Sequence, residues 1–380
     1  MKKHIAVLLS ICLFIGLCFT ATASEAKPLR FDADGTFTVL QLTDPQDDAN
    51  LAKELVPFLE KAIQTAQPDL IVITGDLVEN SRPGGLFKDD EALLEGVEVK
   101  NDYAASLANT QKAIAQMFAV LEESGIPYAV TQGNNDYSSS VTNEDWLKIY
   151  AQYPNCLTVD QSNDPDGKID MYLEILASDS DAPAFGLWLM DNGKGMTDGQ
   201  LDWMKSVETE QVPGIVFEHI PVDDIGNLFE KCSPWDSGAF FSDGLCARLI
   251  ADRAAGHVEY AHEPGISTEE FATWKECNVT GAFFGHEHTS GYTGTFDGIT
   301  MGLTYGCQFE KAGPYGMRTL VLSEDGSFET SLYTYTDGSF TLQNDVPTVD
   351  GNEDGIKGFF NKIVNVFTFI MHSVAYMLKF

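Results

Sequence analysis

Basic side chains are scarce in this sequence. Its 380 residues include 23 Lys and Arg against 57 Asp and Glu, which gives a formal net charge of −34 at neutral pH. A surface this acidic repels nucleic acid backbones and favours solubility. The composition therefore argues against nucleic acid as a partner or substrate, and an anionic small molecule would have to be attracted by local cations.

Cysteine is also sparse, and its spacing fits no zinc-finger or zinc-ribbon pattern. Two of the seven cysteines, Cys12 and Cys18, lie in the first 23 residues. Five remain: Cys156, Cys232, Cys246, Cys277 and Cys307. Because Cys232 and Cys246 flank a loop rich in glycine and serine, they are the first candidates for a disulfide. A structural thiolate metal site is excluded by the same spacing.

Long apolar runs are confined to the two ends of the chain. Residues 1–23 combine a basic start at Lys2 and Lys3, an apolar stretch over 5–19, and small residues at 21–23. This pattern is typical of a secretory signal peptide and predicts a secreted or extracytoplasmic protein. No internal repeat is present.

The C-terminal run follows an acidic, Pro- and Gly-containing linker, predicted over 339–354. Residues 355–380 are mostly apolar and predict an amphipathic helix. Its polar side chains recur at intervals of four, four, three and four, which forms one stripe along the helix: Lys357, Asn361, Asn365, Thr368 and His372. Two alternatives remain equally open, namely binding at a membrane surface, or docking on this domain or a second chain.

Between these ends, short apolar strands alternate with helical patterns. Residues 37–43 and 70–74 predict two strands joined by a helix, which is a parallel crossover. In open α/β sheets, ligands gather at the carboxyl ends of such strands. Oxygen- and imidazole-bearing side chains follow several of the predicted strands here: Asp44, Gln46, Asp76, Asn134, His219, His286 and His288.

These seven side chains form a donor set without sulfur. Oxygen and imidazole ligands suit Mn, Fe or Zn, and one carboxylate can bridge two such ions. His286 and His288 lie two residues apart after an apolar run, so both imidazoles can face one point. Gly285, directly before them, lets the backbone approach that point closely. Each residue alone has an ordinary structural explanation, but their recurrence at strand ends predicts a two-metal site.

The order Asp-x-Gln, Gly-Asp, Gly-Asn-Asn-Asp, His and Gly-His-x-His resembles the calcineurin-like metallophosphoesterase superfamily. It is similar in particular to the single-domain branch related to purple acid phosphatases. The resemblance implies a four-layer α/β sandwich over 34–338, with two mixed β-sheets flanked by helices. It also implies that Asp44, Gln46, Asp76 and His288 hold one metal. Asp76 would bridge to a second metal, held also by Asn134, His219 and His286.

Two positions depart from the pattern of that superfamily. Gln46 stands where the first motif usually has histidine, which implies a weaker first metal. Asn135 stands where a histidine usually contacts the phosphoryl group and protonates the leaving oxygen. An amide donates hydrogen bonds but no proton at neutral pH. Position 135 alone therefore predicts a preference for aryl phosphates and anhydrides over alkyl esters.

Two functional hypotheses follow. The first is a secreted phosphatase or phosphodiesterase for small phosphate esters or anhydrides, in which a hydroxide bridging two metals attacks phosphorus. Asp76 and Asn135 would then be its catalytic positions. The second is a catalytically weak surface protein that binds a metal or a phosphorylated ligand. His257 and His262 lie in the loop before the last motif and are either a substitute proton donor or surface histidines.

Overall fold

Two mixed β-sheets form the centre of the structure. The computed structural model describes residues 28–79, 103–137, 141–207, 209, 212–242, 245–260 and 262–343. The predicted signal peptide and the predicted C-terminal helix lie outside these residues.

The first sheet has six strands. From one edge to the other they are β16 (Ser339–Leu342), β15 (Phe328–Thr336), β14 (Tyr315–Ser323), β1 (Thr36–Leu42), β2 (Leu70–Thr74) and β3 (Tyr128–Thr131). Strands β1, β2 and β3 are parallel, and β14 runs antiparallel to β1. The predicted parallel crossover from β1 to β2 is therefore confirmed.

The second sheet has seven strands. In order they are β10 (Ala254–His257), β12 (Gly291–Phe296), β13 (Ile299–Leu303), β11 (Val279–Phe284), β6 (Gly214–Phe217), β5 (Pro183–Leu189) and β4 (Met171–Leu176). The four central strands, from β13 to β5, are parallel. A small third sheet contains β7 (Phe229–Lys231), β9 (Leu245–Leu249) and β8 (Phe240–Ser242).

Helices cover the outer faces of both large sheets. They are α1 (Leu55–Ala66), α2 (Tyr103–Ser124), α3 (Asn143–Tyr150), α4 (Asp198–Ser206) and α5 (Glu269–Glu276), with a 3₁₀ helix at Asp223–Leu228. Thr142 and Thr197 begin α3 and α4, each with a capping box that satisfies the first free N–H groups. The first three helices pack on the first sheet, and α4 and α5 pack on the second.

The apolar core explains this layering. In β2, Ile71 and Ile73 face the helices, whereas Leu70 and Val72 face the second sheet. Successive side chains of a strand point to opposite faces, so a strand that is apolar throughout is buried on both sides. The space between the sheets is filled from both sides, for example by Leu187 of the second sheet. The predicted helix–sheet–sheet–helix sandwich is confirmed.

A buried arginine links the two sheets. Arg318 of β14 is fully buried and donates to hydroxyl groups of Thr304, Thr293 and Thr330. It also donates to the carbonyls of Tyr292 and Leu303 in the second sheet, at 3.1 and 2.8 Å. Burial lowers the pKa of Arg318 to about 9, so the guanidinium is still charged at neutral pH. Neutral hydrogen-bond acceptors and the ring of Phe283, whose centroid lies 5.1 Å from Arg318 Cζ, stabilise the charge.

The domain boundaries predicted at 34 and 338 need correction. Phe31 is buried, and its N–H donates to the carbonyl of Leu176, so the folded region begins before residue 34. At the other end, β16 occupies Ser339–Leu342, within the predicted linker. Asp337 and Gly338 have positive φ and form the two-residue turn into this strand, as Asp-Gly turns of hairpins do. Phe340 of β16 packs against Phe58 of α1, which holds the strand in place.

Cys232 and Cys246 lie next to each other on the small sheet. The N–H of Cys232 donates to the carbonyl of Cys246, and the two Sγ atoms are 3.4 Å apart. Both are free thiols in this structure, so the predicted neighbourhood is present without the predicted bond. Among the described residues, no helix is both long enough and apolar enough to cross a membrane.

Candidate metal centre

The seven predicted ligands lie in loops that follow strands of both large sheets. Asp44 and Gln46 follow β1, Asp76 follows β2, and Asn134 follows β3 in the first sheet. His219 follows β6 in the second sheet, and His286 and His288 follow β11. Since these strands are parallel within each sheet, their carboxyl ends meet at one edge. Contacts between the side chains join all seven into one cluster.

The backbone of the cluster is strained. Four of its residues have left-handed φ angles, at 51° for Asp44, 38° for Gln46, 53° for Asp76 and 72° for His286. This conformation is unfavourable for residues with a Cβ and persists where surrounding contacts enforce it, often at functional sites. Here the N–H of Asp44 donates to the carbonyl of Gly75, and that of Gln46 to the carbonyl of Asp76, at 3.1 and 2.9 Å.

Two glycines let the loops approach each other. A Cβ on Gly285 would collide with the Thr43 hydroxyl and lie 2.7 Å from Asp44 Oδ2. A Cβ on Gly133 would collide with the carboxylate and the backbone nitrogen of Asp76. Only glycine fits these positions. The close backbone approach predicted at Gly285 is therefore present.

One half of the cluster contains Asp44, Gln46 and His288. His288 Nε2 lies 3.3 Å from Asp44 Oδ1. Gln46 Nε2 donates to Asp76 Oδ2 at 2.5 Å, which connects this half to the central carboxylate. The other carboxylate oxygen of Asp44 accepts from the N–H of His286 and from the Thr43 hydroxyl.

The other half contains Asn134, His219 and His286. His219 Nε2 lies 3.3 Å from Asp76 Oδ2 and 3.1 Å from Asn134 Oδ1. Its Nδ1 contacts the carbonyl of Thr74 at 2.8 Å, which fixes the orientation of the ring. The rings of His219 and His286 are 5.2 Å apart between centroids. Asp76 thus contacts members of both halves.

Buried oxygen atoms without partners show that the cluster suits a cation. Asp44 Oδ1 and Gln46 Oε1 are buried and make no hydrogen bond to the described residues. Buried polar atoms are nearly always satisfied, so such oxygens are suited to bind a cation. Ligand atoms of Asp44, Asp76 and His219 lie within 4.8 Å of one another. Carboxylate and imidazole donors at this spacing suit a metal ion.

The carboxylates of Asp44 and Asp76 favour positive charge at the cluster. Burial raises the pKa of Asp76, but His219 and two hydrogen bonds from Asn135 outweigh it and hold the pKa below its ordinary value. Burial lowers the pKa of His219, but Asp76 and Asp44 raise it to about 10. A proton on His219 and a metal ion bound at the cluster would each offset the negative charge of these carboxylates. Metal binding displaces protons from such ligands.

Asn135 contacts the central carboxylate of the cluster. Its backbone N–H donates to Asp76 Oδ1 at 2.7 Å, and its side-chain amide donates to Asp76 Oδ2 at 2.6 Å. Both groups therefore orient the carboxylate of Asp76. The catalytic role of Asn135 stays a prediction.

A cavity of about 700 Å³ opens beside the two histidines of the last motif. Besides His286 and His288, its lining includes His262, Glu287, Lys311 and Tyr315. From the sequence, His262 is a candidate site residue, whereas Glu287, Lys311 and Tyr315 are not identified. Glu287 could have been noticed, because it lies between the two histidines in the chain.

Asn192 is a further residue without a signal in the sequence. It is buried, three residues after the end of β5. Its side-chain oxygen, Oδ1, accepts from the backbone N–H groups of His219 and Ile220, at 3.1 and 2.9 Å. Its amide donates to Glu218 Oε2 and to the carbonyl of Ile220. Asn192 thereby fixes the loop that presents His219, as outer hydrogen bonds commonly do around metal ligands.

Two mixed sheets, with buried carboxylates and histidines at their shared edge, define a metallophosphoesterase fold. A sequence profile of the calcineurin-like phosphoesterases matches residues 37–290, and the chain belongs to this family. Proteins of the family typically bind two metal ions, and the buried group of Asp44, Asp76 and His219 is present here.

Similar proteins include two from Arabidopsis thaliana. The probable inactive purple acid phosphatase 14 is 25% identical over 364 residues, with 81% of this chain and 79% of that protein covered. The probable inactive purple acid phosphatase 28 is 21% identical, with 73% of this chain and 71% of that protein covered. A solved dimetal phosphatase from Danio rerio is 13% identical, with a TM-score of 0.45 and coverage of 79% and 99%.

Proposed function

We propose that this protein is a two-metal phosphoesterase that hydrolyses small phosphate esters or anhydrides outside the cytoplasm. The observation that carries the proposal is the buried cluster with its two unsatisfied oxygens, Asp44 Oδ1 and Gln46 Oε1. A structural cluster would be expected to satisfy these atoms internally. The adjoining cavity gives a small phosphorylated molecule room beside His286 and His288.

The contacts support the assignment of ligands to two metals. Asp44, Gln46 and His288 would hold the first metal, and Asn134, His219 and His286 the second, with Asp76 shared. When bound, Mn, Fe or Zn ions in such a pair acidify water and neutralise phosphoryl oxygens. Thr74 orients His219, and Asn135 orients Asp76. The strained loops would present these ligands without rearrangement on substrate binding.

A second candidate function rests on position 135 and on the relatives. Two similar plant proteins are named probable inactive phosphatases, and Asn135 supplies no acid. A protein of this kind would bind a metal or a phosphorylated ligand without turning it over. The two candidates share the metal site and differ only in catalysis.

Metal content and turnover, measured on one preparation, separate the two functions. We expect the metal-loaded protein to hydrolyse p-nitrophenyl phosphate, with a turnover number on the order of 1 s⁻¹ or more. His219→Gln, purified in parallel, should lack this activity and thereby show that it belongs to this chain. A metal-loaded protein that turns over neither this ester nor a nucleoside diphosphate would support the binding function instead.

The sequence patterns at the two ends of the chain support proposals about where the protein is located. The N-terminal pattern supports export, and the apolar C-terminal segment supports attachment to a membrane surface or self-association. Truncation after Asp350 should leave the described domain folded, because its strands end at Leu342. It should abolish vesicle co-sedimentation or the larger mass seen by light scattering. A truncated protein that matches the full chain in both measurements would contradict this role.

A further inference from the structure

The proposed reaction lacks a proton donor at its usual position. An alkyl leaving group departs slowly as an alkoxide, and protonation by a positioned acid typically contributes about 10²–10⁴-fold in rate. Asn135 carries no such proton, and both of its donors are engaged by Asp76. If the chain hydrolyses alkyl esters efficiently, the proton has to come from another residue.

His262 lines the same cavity as His286 and His288. Its Nε2 is 2.6 Å from Glu287 Oε1, and 21% of its side chain is exposed against 7% of that of Glu287. The ring also packs beside Phe229, with centroids 5.7 Å apart. Glu287 and Phe229 therefore fix the position of His262, which has access to the cavity. His257, by contrast, is exposed on β10.

Glu287 ties this histidine to the metal-binding turn. It lies in the chain between His286 and His288, and its carboxylate reaches His262 across 25 positions of sequence. A carboxylate on one ring nitrogen fixes the orientation of the ring, as in other acid–base pairs of histidine. The other charged groups on the cavity wall are Asp223, Glu259 and Lys311. None of these three is an imidazole, the side chain that most often serves as a general acid.

We propose that His262 is the general acid of this site, an inference that rests on the proposed phosphoesterase function. Water adds its oxygen to phosphorus and releases one proton to solvent, and the P–O bond to the leaving group breaks with its electron pair on the leaving oxygen. That oxygen takes the proton from Nδ1 of His262, while Nε2 remains bonded to Glu287. The neutral imidazole then regains a proton from solvent. The chain thus replaces the missing acid at position 135 with a residue from the loop after β10.

The test compares two leaving groups in His262→Gln and in the control His257→Gln. The substrates are p-nitrophenyl phosphate, whose leaving group needs no proton, and glycerol 2-phosphate, whose leaving group does. For His262→Gln we expect the aryl-to-alkyl ratio of kcat/KM to rise by roughly 10²–10⁴-fold. His257→Gln should keep the wild-type ratio. Metal content should be unchanged in both variants.

A second measurement does not depend on turnover. The full chain is labelled with ¹⁵N-histidine and loaded with zinc, and the ring signals of its seven histidines are followed during titration with inorganic phosphate. The signal that is lost in His262→Gln should shift with phosphate, and the signal that is lost in His257→Gln should not.

The outcomes distinguish failure of this inference from failure of the proposed function. A wild-type protein that hydrolyses both esters, combined with an unchanged ratio in His262→Gln, overturns the acid role and leaves the phosphoesterase function intact. A ring signal of His262 that does not shift with phosphate also overturns the acid role and leaves the phosphoesterase function intact. A zinc-loaded wild-type protein that hydrolyses neither ester overturns both.

Discussion

Asp76→Asn is expected to remove both metals and to lower phosphoesterase activity on the order of 10³-fold. Asp76 contacts side chains of both halves of the cluster, Gln46 and His219, whereas the close contact of Asp44 with the second half is to the backbone N–H of His286. Charge stabilisation by a metal pair is worth several kcal/mol, and each 1.36 kcal/mol is tenfold in rate. The amide keeps the shape of the side chain and removes its charge. Elemental analysis and p-nitrophenyl phosphate turnover check both effects.

Two matched variants set the scale for this result. Asp44→Asn makes the same chemical change at a carboxylate that contacts His288 at 3.3 Å and His219 only at 4.0 Å. It should lose one metal rather than both. Gln46→Ala removes a neutral ligand and should retain the most metal of the three. Equal metal loss in Asp76→Asn and Gln46→Ala would contradict the bridging role of Asp76.

Arg318→Met is expected to lower the free energy of unfolding by about 2–4 kcal/mol. Methionine has a similar length but donates no hydrogen bond, so the carbonyls of Tyr292 and Leu303 lose the guanidinium that they now contact. Each buried acceptor left unsatisfied costs about 1–3 kcal/mol. Denaturant unfolding, with the slope compared between proteins, measures the change.

Arg248→Met provides the control for this substitution. Arg248 forms an ion pair with Glu230 on the small sheet, and 39% of its side chain is exposed. Exposed pairs of this kind contribute about 0–1 kcal/mol. If Arg318→Met is no more destabilising than Arg248→Met, the bonds of Arg318 to the second sheet do not hold the sandwich together.

The fold could be predicted from the sequence where local patterns decide it. The strand at Leu70–Thr74 is apolar throughout and lies between a helix and a Gly-Asp turn, and it forms β2 as expected. The positions of the ligands followed from the same patterns, because parallel strands bring their carboxyl ends together. Asp44, Asp76 and His219 are more than 30 residues apart in sequence, yet their ligand atoms form one group.

Long-range partners could not be predicted in this way. Arg318 lies in an alternating strand, where an arginine is typical of a surface position. Its burial depends on hydroxyls and carbonyls that β12 and β13 supply from the other sheet. The pairing of His262 with Glu287 likewise joins a loop to a turn, without any periodic signal. Strand β16 lies within the linker predicted over 339–354, because its four residues are too few to give a clear strand pattern.

The contacts of one site residue could not be predicted from the sequence motif. The motif indicates only that Asn135 replaces a usual histidine, and it gives no partner for the amide. In the structure, the backbone N–H and the side-chain amide of Asn135 both donate to Asp76 and orient its carboxylate. The left-handed φ angles of Asp44 and His286 are a further feature without a sequence signal, since these residue types do not require such a conformation.

The central claim is that one buried cluster holds two metal ions. The most direct test is the metal stoichiometry of the purified protein, measured by elemental analysis after loading with zinc or manganese and removal of free metal. The account predicts two ions per chain, and fewer in Asp76→Asn than in Asp44→Asn. A wild-type protein that retains no metal after this treatment would contradict it.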